Sequence, residues 1–249
     1  MEGNFIFLCI IAFIAAFIDS VAGGGGLISV PAFLMFGLPP HLALGTNKLA
    51  ATTSSLTASI KFIFSGKINF SLIKYIIPFT FIGAVVGVKT VLLIDQSFLN
   101  GIVMILILLV GVYTLFSKNI GIKSTFKKPT STKMIIGFIF GFVLGFYDGF
   151  FGPGTGSFLI FGFIGIFGFD FIEANCNAKI LNFTSNIASL ITFALSKSID
   201  YKVGLICALF MVFGSLLGAK MALKQGVKVI KPVFVTMSLA VALKMLFKL

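Results

Sequence analysis

The second half of this chain repeats the first, and the repeat preserves polar residues inside segments that are otherwise oily. Lys48, Ala51, Ser54 and Ser55 recur as Lys179, Asn182, Ser185 and Asn186, a shift of 131 residues. Gly83, Gly87 and Lys89 recur at the same shift as Gly214, Gly218 and Lys220, and Asn69-Phe70 recurs as Asp200-Tyr201. Upstream, Asp19 followed by Gly23, Gly24, Gly25 and Gly26 is matched by Asp148 followed by Gly152, Gly154 and Gly156. A charge kept twice in an apolar helix is expensive and needs a reason. A duplicated helical bundle with interrupted helices is a common plan for secondary transporters.

Composition narrows the class. The 249 residues are 58% hydrophobic and only 10% charged, where a soluble domain carries about a quarter. Mean hydropathy is +1.14. Apolar runs are continuous rather than alternating, which predicts an all-α, polytopic helical membrane protein and not a barrel. The net charge of +12 arises from 19 lysines with no arginine. They cluster at the ends of apolar segments, as membrane anchoring requires, so nucleic-acid binding is rejected. Cys9, Cys176 and Cys207 have no metal or redox spacing and read as apolar filler. His41 beside Pro39-Pro40 reads as a loop residue. The N-terminus lacks the charge pattern and cleavage site of a secretory signal. No catalytic motif is present, so no enzyme activity, cofactor or metal is expected.

The pattern divides the chain into a first transmembrane repeat (1–117), a basic linker (118–133) and a second transmembrane repeat (134–249). Each repeat reads as four segments: 4–18 with 27–38, 42–64, 70–88 and 98–116, then 134–146 with 157–169, 177–196, 203–223 and 229–247. Segments 1 and 5 are broken, because four consecutive glycines do not hold a helix. The linker carries Lys118, Lys123, Lys127, Lys128 and Lys133 and is placed in the cytoplasm. Charge does not separate parallel from inverted halves; broken helices favour inversion by analogy with transporters.

Three elements carry chemistry. The glycine breaks expose backbone donors and a helix N-terminus, which suits an anion; Gly24, Gly25, Gly154 and Thr155 are the candidates. Close helix packing is the plainer alternative. The second element is a polar stripe: Lys48, Thr52, Ser55 and Ser59 fall on one helical face, as do Lys179, Asn182, Asn186 and Ser189. Two lysines meeting two glycine nests form a positive site for a small oxyanion. Asn47, Ser55, Asn182 and Asn186 add hydrogen bonds. The alternative is snorkelling of lysine to the headgroups. The third element is the pair Asp19 and Asp148, read equally as carriers of a coupling ion or as helix caps and counter-charges to the lysines. The motifs Gly83-x3-Gly87, Gly214-x3-Gly218 and Gly137-x3-Gly141-x3-Gly145 read as helix packing.

Asp19-Ser-Val-Ala-Gly-Gly-Gly-Gly26, Pro31 and Leu44-Gly-Thr-Asn-Lys48 together resemble the TauE/SafE sulfite-exporter family, also called the toluene sulfonate uptake permeases. Tyr147-Asp-Gly-Phe-Phe-Gly-Pro-Gly-Thr-Gly156, Ala178-Lys179 and Asn182 carry the same resemblance in the second half. The resemblance implies a multi-pass transporter of the bacterial inner membrane, built of two four-segment modules. It implies substrates such as sulfite, sulfonates or related organic anions. Ala51 and Ser55 stand where the second half has Asn182 and Asn186, so any site is asymmetric.

The expected function is secondary transport of a small anion. The partners are that substrate and the lipid bilayer, with a homodimer left open and nucleic acid excluded. The alternative is a channel-like cation or proton pathway through Asp19 and Asp148.

Overall fold

The computed structural model describes residues 2–95, 98, 99, 105 and 123–225. Within them the chain is helical: α1 (Glu2–Ala22), α2 (Gly26–Met35), α3 (Pro40–Ile63), α4 (Phe70–Leu92), α5 (Ser131–Phe150), α6 (Thr155–Gly162), α7 (Phe171–Leu195) and α8 (Tyr201–Gln225). A π-helical turn, Phe163–Phe167, extends α6. Apart from residues 98, 99 and 105, the segments expected at 98–116 and 229–247 lie outside the described residues. Five helices, α1, α4, α5, α7 and α8, are long and apolar enough to cross a membrane. Helix α3 has 24 residues but carries a polar face, which its burial explains.

Both broken segments are helical hairpins. The ring of Phe5, at the start of α1, lies 5.6 Å from that of Phe36, just beyond α2. Gly25, at the tip, backs onto Ala15 and Asp19. In the second hairpin Tyr147 sits 5.6 Å from Phe158 and Phe140 sits 6.0 Å from Phe163. Helices α1 and α5 run through Asp19 and Asp148 to Ala22 and Phe150, about one turn beyond the expected boundaries. An aspartate does not end a helix where water is absent to compete for its backbone; the left-handed glycines, Gly23 (φ 78°) and Gly152 (φ 96°), do. His41 lies in the first turn of α3 rather than in a loop, with Nε2 3.1 Å from the carbonyl of Val91.

The two repeats exchange helices. Helix α4 packs most extensively on α5 of the other repeat, and α8 on α1. Glycines make these approaches possible. A Cβ on Gly83 or Gly87 would overlap the α5 backbone at Phe142 and Phe146, and one on Gly214 or Gly218 would overlap α1 at Phe13 and Phe17. The helix caps follow the same exchange. The Asn69 N–H donates to Asn177 Oδ1 at 2.9 Å, and the Asp200 N–H donates to Thr46 Oγ1 at 2.9 Å. Two mixed bundles result: α1, α2 and α3 with α8, and α5, α6 and α7 with α4. They meet where α3 and α7 pass in opposite directions, with Lys48 beside Asn186 and Ser59 beside Lys179. The turns joining α3 to α4 and α7 to α8 carry the chain between bundles. They bend through left-handed residues at repeat-related positions, Gly66 (φ 70°) and Lys197 (φ 54°).

Candidate functional site: a polar cavity at the crossed hairpins

The hairpin tips touch each other. Gly23 and Gly156 meet backbone to backbone, so that a Cβ on either would overlap the other. The Ser157 N–H donates to Gly23 O at 2.8 Å, and Ser157 Oγ donates to Ala22 O at 3.0 Å. These bonds satisfy part of the unwound backbone across the repeats, as a low-dielectric interior demands.

Beside this crossing each lysine reaches the aspartate of the opposite repeat. Lys48 Nζ lies 2.8 Å from Asp148 Oδ2, with both side chains at most 3% exposed. Lys179 Nζ lies 2.8 Å from Asp19 Oδ2, with exposures of 2% and 20%. Both ion pairs bridge the two mixed bundles. They differ in support. Lys179 also donates to the main-chain carbonyl of Asp19 at 2.8 Å, and Asp19 Oδ1 accepts from the Gly25 N–H at 3.3 Å. Lys48 instead donates to Asn186 Oδ1 at 3.0 Å. Paired, the four charges sum to zero, which is what makes their burial tolerable.

A cavity of about 30 Å3, room for roughly two water molecules, lies between these groups. Of the residues singled out from sequence, Asp19, Gly25, Asn47, Lys48, Asp148, Gly154, Asn182 and Asn186 line it. Lys179, Ser55, Gly24 and Thr155 do not. Lys179 is drawn onto Asp19. Ser55 Oγ donates to Ala51 O at 2.7 Å, Thr155 Oγ1 donates to Gly152 O at 2.7 Å, and Gly24 O accepts from the Leu27 N–H. The wall also includes Gly23, Gly26, Gly152 and Gly156 of the same glycine breaks, and Ser29 and Ser54, to which the sequence reading gave no role. The cavity face of α3 is Asn47, Ala51 and Ser54, one residue before the stripe of Thr52, Ser55 and Ser59. The missed signal was the repeat itself, which contains both Ser54 and Ser185.

Chemically the wall is rich in donors. Lysine has no acceptor, so Asn186 must present its oxygen to Lys48, which turns its amide N–H groups elsewhere. Asn47 Oδ1 is likewise engaged, by Ser29 Oγ at 2.6 Å. Among the described residues no cluster of His, Cys, Asp or Glu could hold a metal ion.

Apolar spanning helices around a buried, charged and hydrogen-bonding cavity define a multi-pass membrane protein of the transporter class. The sequence confirms this more narrowly: residues 8–245 match the model of the sulfite exporter TauE/SafE family, and the chain belongs to that family. It is 40% identical over 242 residues to a "probable membrane transporter protein" of Haemophilus influenzae, covering 97% of this chain and 94% of the relative. It is 37% identical to "probable membrane transporter protein ORF9" of Sinorhizobium sp over 96% of this chain and 91% of the relative. It is 36% identical to "probable membrane transporter protein YfcA" of Escherichia coli K12 over 96% and 88%. No solved structure matches. The protein is thus a membrane transporter of the cell membrane.

Proposed function

We propose that the protein is a secondary transporter that moves a small anion, such as sulfite, a sulfonate or a related oxyanion, across the membrane. The observation that carries this reading is the pair of crossed, buried ion pairs, Lys48–Asp148 and Lys179–Asp19. A buried ammonium held only by a carboxylate and neutral groups accepts another oxyanion in the carboxylate's place. The displaced Asp148 or Asp19 then takes up a coupling proton or cation, because an unpaired buried carboxylate is costly. A channel for cations would need free carboxylates, whereas each of these is held by an ammonium group.

In this reading the repeats are inverted, supported by the opposite running of α3 and α7 past each other. Rocking of one mixed bundle against the other exposes the cavity to alternate sides. No catalysis is assigned to it. The test is flux of sulfite and methanesulfonate into vesicles containing the purified protein. Lys48→Gln and Lys179→Gln should each lower flux tenfold or more, as expected for loss of a charged hydrogen bond, while the protein still reaches the membrane. Undiminished flux in both variants refutes the site. Flux that follows a cation gradient alone refutes the anion reading.

A further inference from the structure

Resting on the reading of the cavity as an anion site, we infer that Ser54 is a substrate-binding residue whose hydroxyl donates to an oxygen of the bound anion. Beyond Lys48, helix α3 carries six hydroxyl side chains. Five are spent on carbonyls: Thr52 on Lys48 O (2.6 Å), Thr53 on Ala50 O (2.8 Å), Ser55 on Ala51 O (2.7 Å), Thr57 on Thr53 O (2.7 Å) and Ser59 on Lys179 O (3.3 Å). Ser54 Oγ is buried without a hydrogen-bond partner. The residue is 2% exposed and lines the cavity. A mid-helix serine ordinarily satisfies itself on the carbonyl four residues back. For Ser54 that carbonyl is Ala50 O, which already accepts from Thr53. Its repeat counterpart Ser185 is not left over in this way: Ser185 Oγ donates to Asn182 O at 3.0 Å, and Ser185 is not part of the cavity wall.

A buried hydroxyl with no partner costs stability and is retained where something else binds it. The rest of the wall indicates what that is. Lys48 is a donor only, Asn186 and Asn47 have their oxygens engaged by Lys48 and Ser29, and the wall's two carboxylates, Asp148 and Asp19, are paired with Lys48 and Lys179. A head group with several bare oxygens, as in a sulfonate, accepts from all of these at once. A ligand head that must itself donate finds fewer partners. The hydroxyl donor is therefore one-sided, supplied by α3 through Ser54 and not by α7 through Ser185.

The test compares Ser54→Ala and Ser185→Ala in vesicles, with methanesulfonate and sulfite as probes, together with melting of the detergent-solubilised proteins. Ser54→Ala should raise the half-saturating concentration about tenfold, the usual effect of losing a hydrogen bond to a charged group, with a smaller change in maximal rate. It should melt at or above the wild-type temperature, because no hydrogen bond within the protein is lost. Ser185→Ala should keep the wild-type half-saturation. A Ser54→Ala protein with wild-type half-saturation overturns the inference. So does one that melts lower or fails to accumulate, since the hydroxyl is then structural. If the wild type moves neither probe, the anion reading itself falls and takes the inference with it.

Discussion

Lys48 and Asp148 form a buried pair, and the cost of disturbing such a pair depends on what is left behind. Removing one partner strands the other charge and costs about 3–5 kcal/mol, whereas replacing both is far cheaper. Lys48→Gln should therefore lower the melting temperature of the solubilised protein, and Lys48→Gln with Asp148→Asn should recover most of the loss. Flux should stay low in both. This separates the ammonium's part in stability from its part in transport; a double variant no more stable than the single one contradicts the pairing. The lysines and aspartates were legible in the sequence because duplication marked them. Their partners were not, since a repeat gives equivalence and not contact, and the crossing of Lys48 to Asp148 and Lys179 to Asp19 follows from how the halves interlock. Ser54 was hidden for a finer reason. Helical spacing groups it with Asn47 and Ala51, but only the packing of α7 decides which of two adjacent stripes faces the cavity.

Among elements, the hairpins were readable in part. Consecutive glycines announce a break, yet not whether the chain continues or turns back. The contact of Gly23 with Gly156 sets a severe test. Gly23 combines a left-handed backbone with direct contact against another backbone. Gly23→Ala should cost at least about 2 kcal/mol, from strain and overlap together. Gly165, in the π-helical turn, has open space where a Cβ would go. Gly165→Ala should change the melting temperature little by comparison, and equal losses in the two variants would show that the crossing is loosely packed. The small-residue spacings along α4 and α8 behave as the sequence predicts, by letting helices approach. What spacing does not disclose is the partner, which for α4 is α5 and for α8 is α1.

At the scale of the whole molecule, that exchange means that the described helices of each repeat bury much of their surface on the other. Residues 1–117 and 118–249 produced as separate chains should each accumulate at most about a tenth as well as when produced together, because α4 and α8 lose the helices they pack on. Together they should co-purify. Independent accumulation of either half would contradict the interlocked arrangement.

The turns at Gly66 and Lys197 give the exchange a mechanical consequence. Gene order suggests a joint at the lysine-rich linker, but cutting there would leave both mixed bundles still tied by the short spans that follow α3 and α7. Those two bends are the leashes on any rocking, and their length caps how far one bundle can swing from the other before a helix end must unravel.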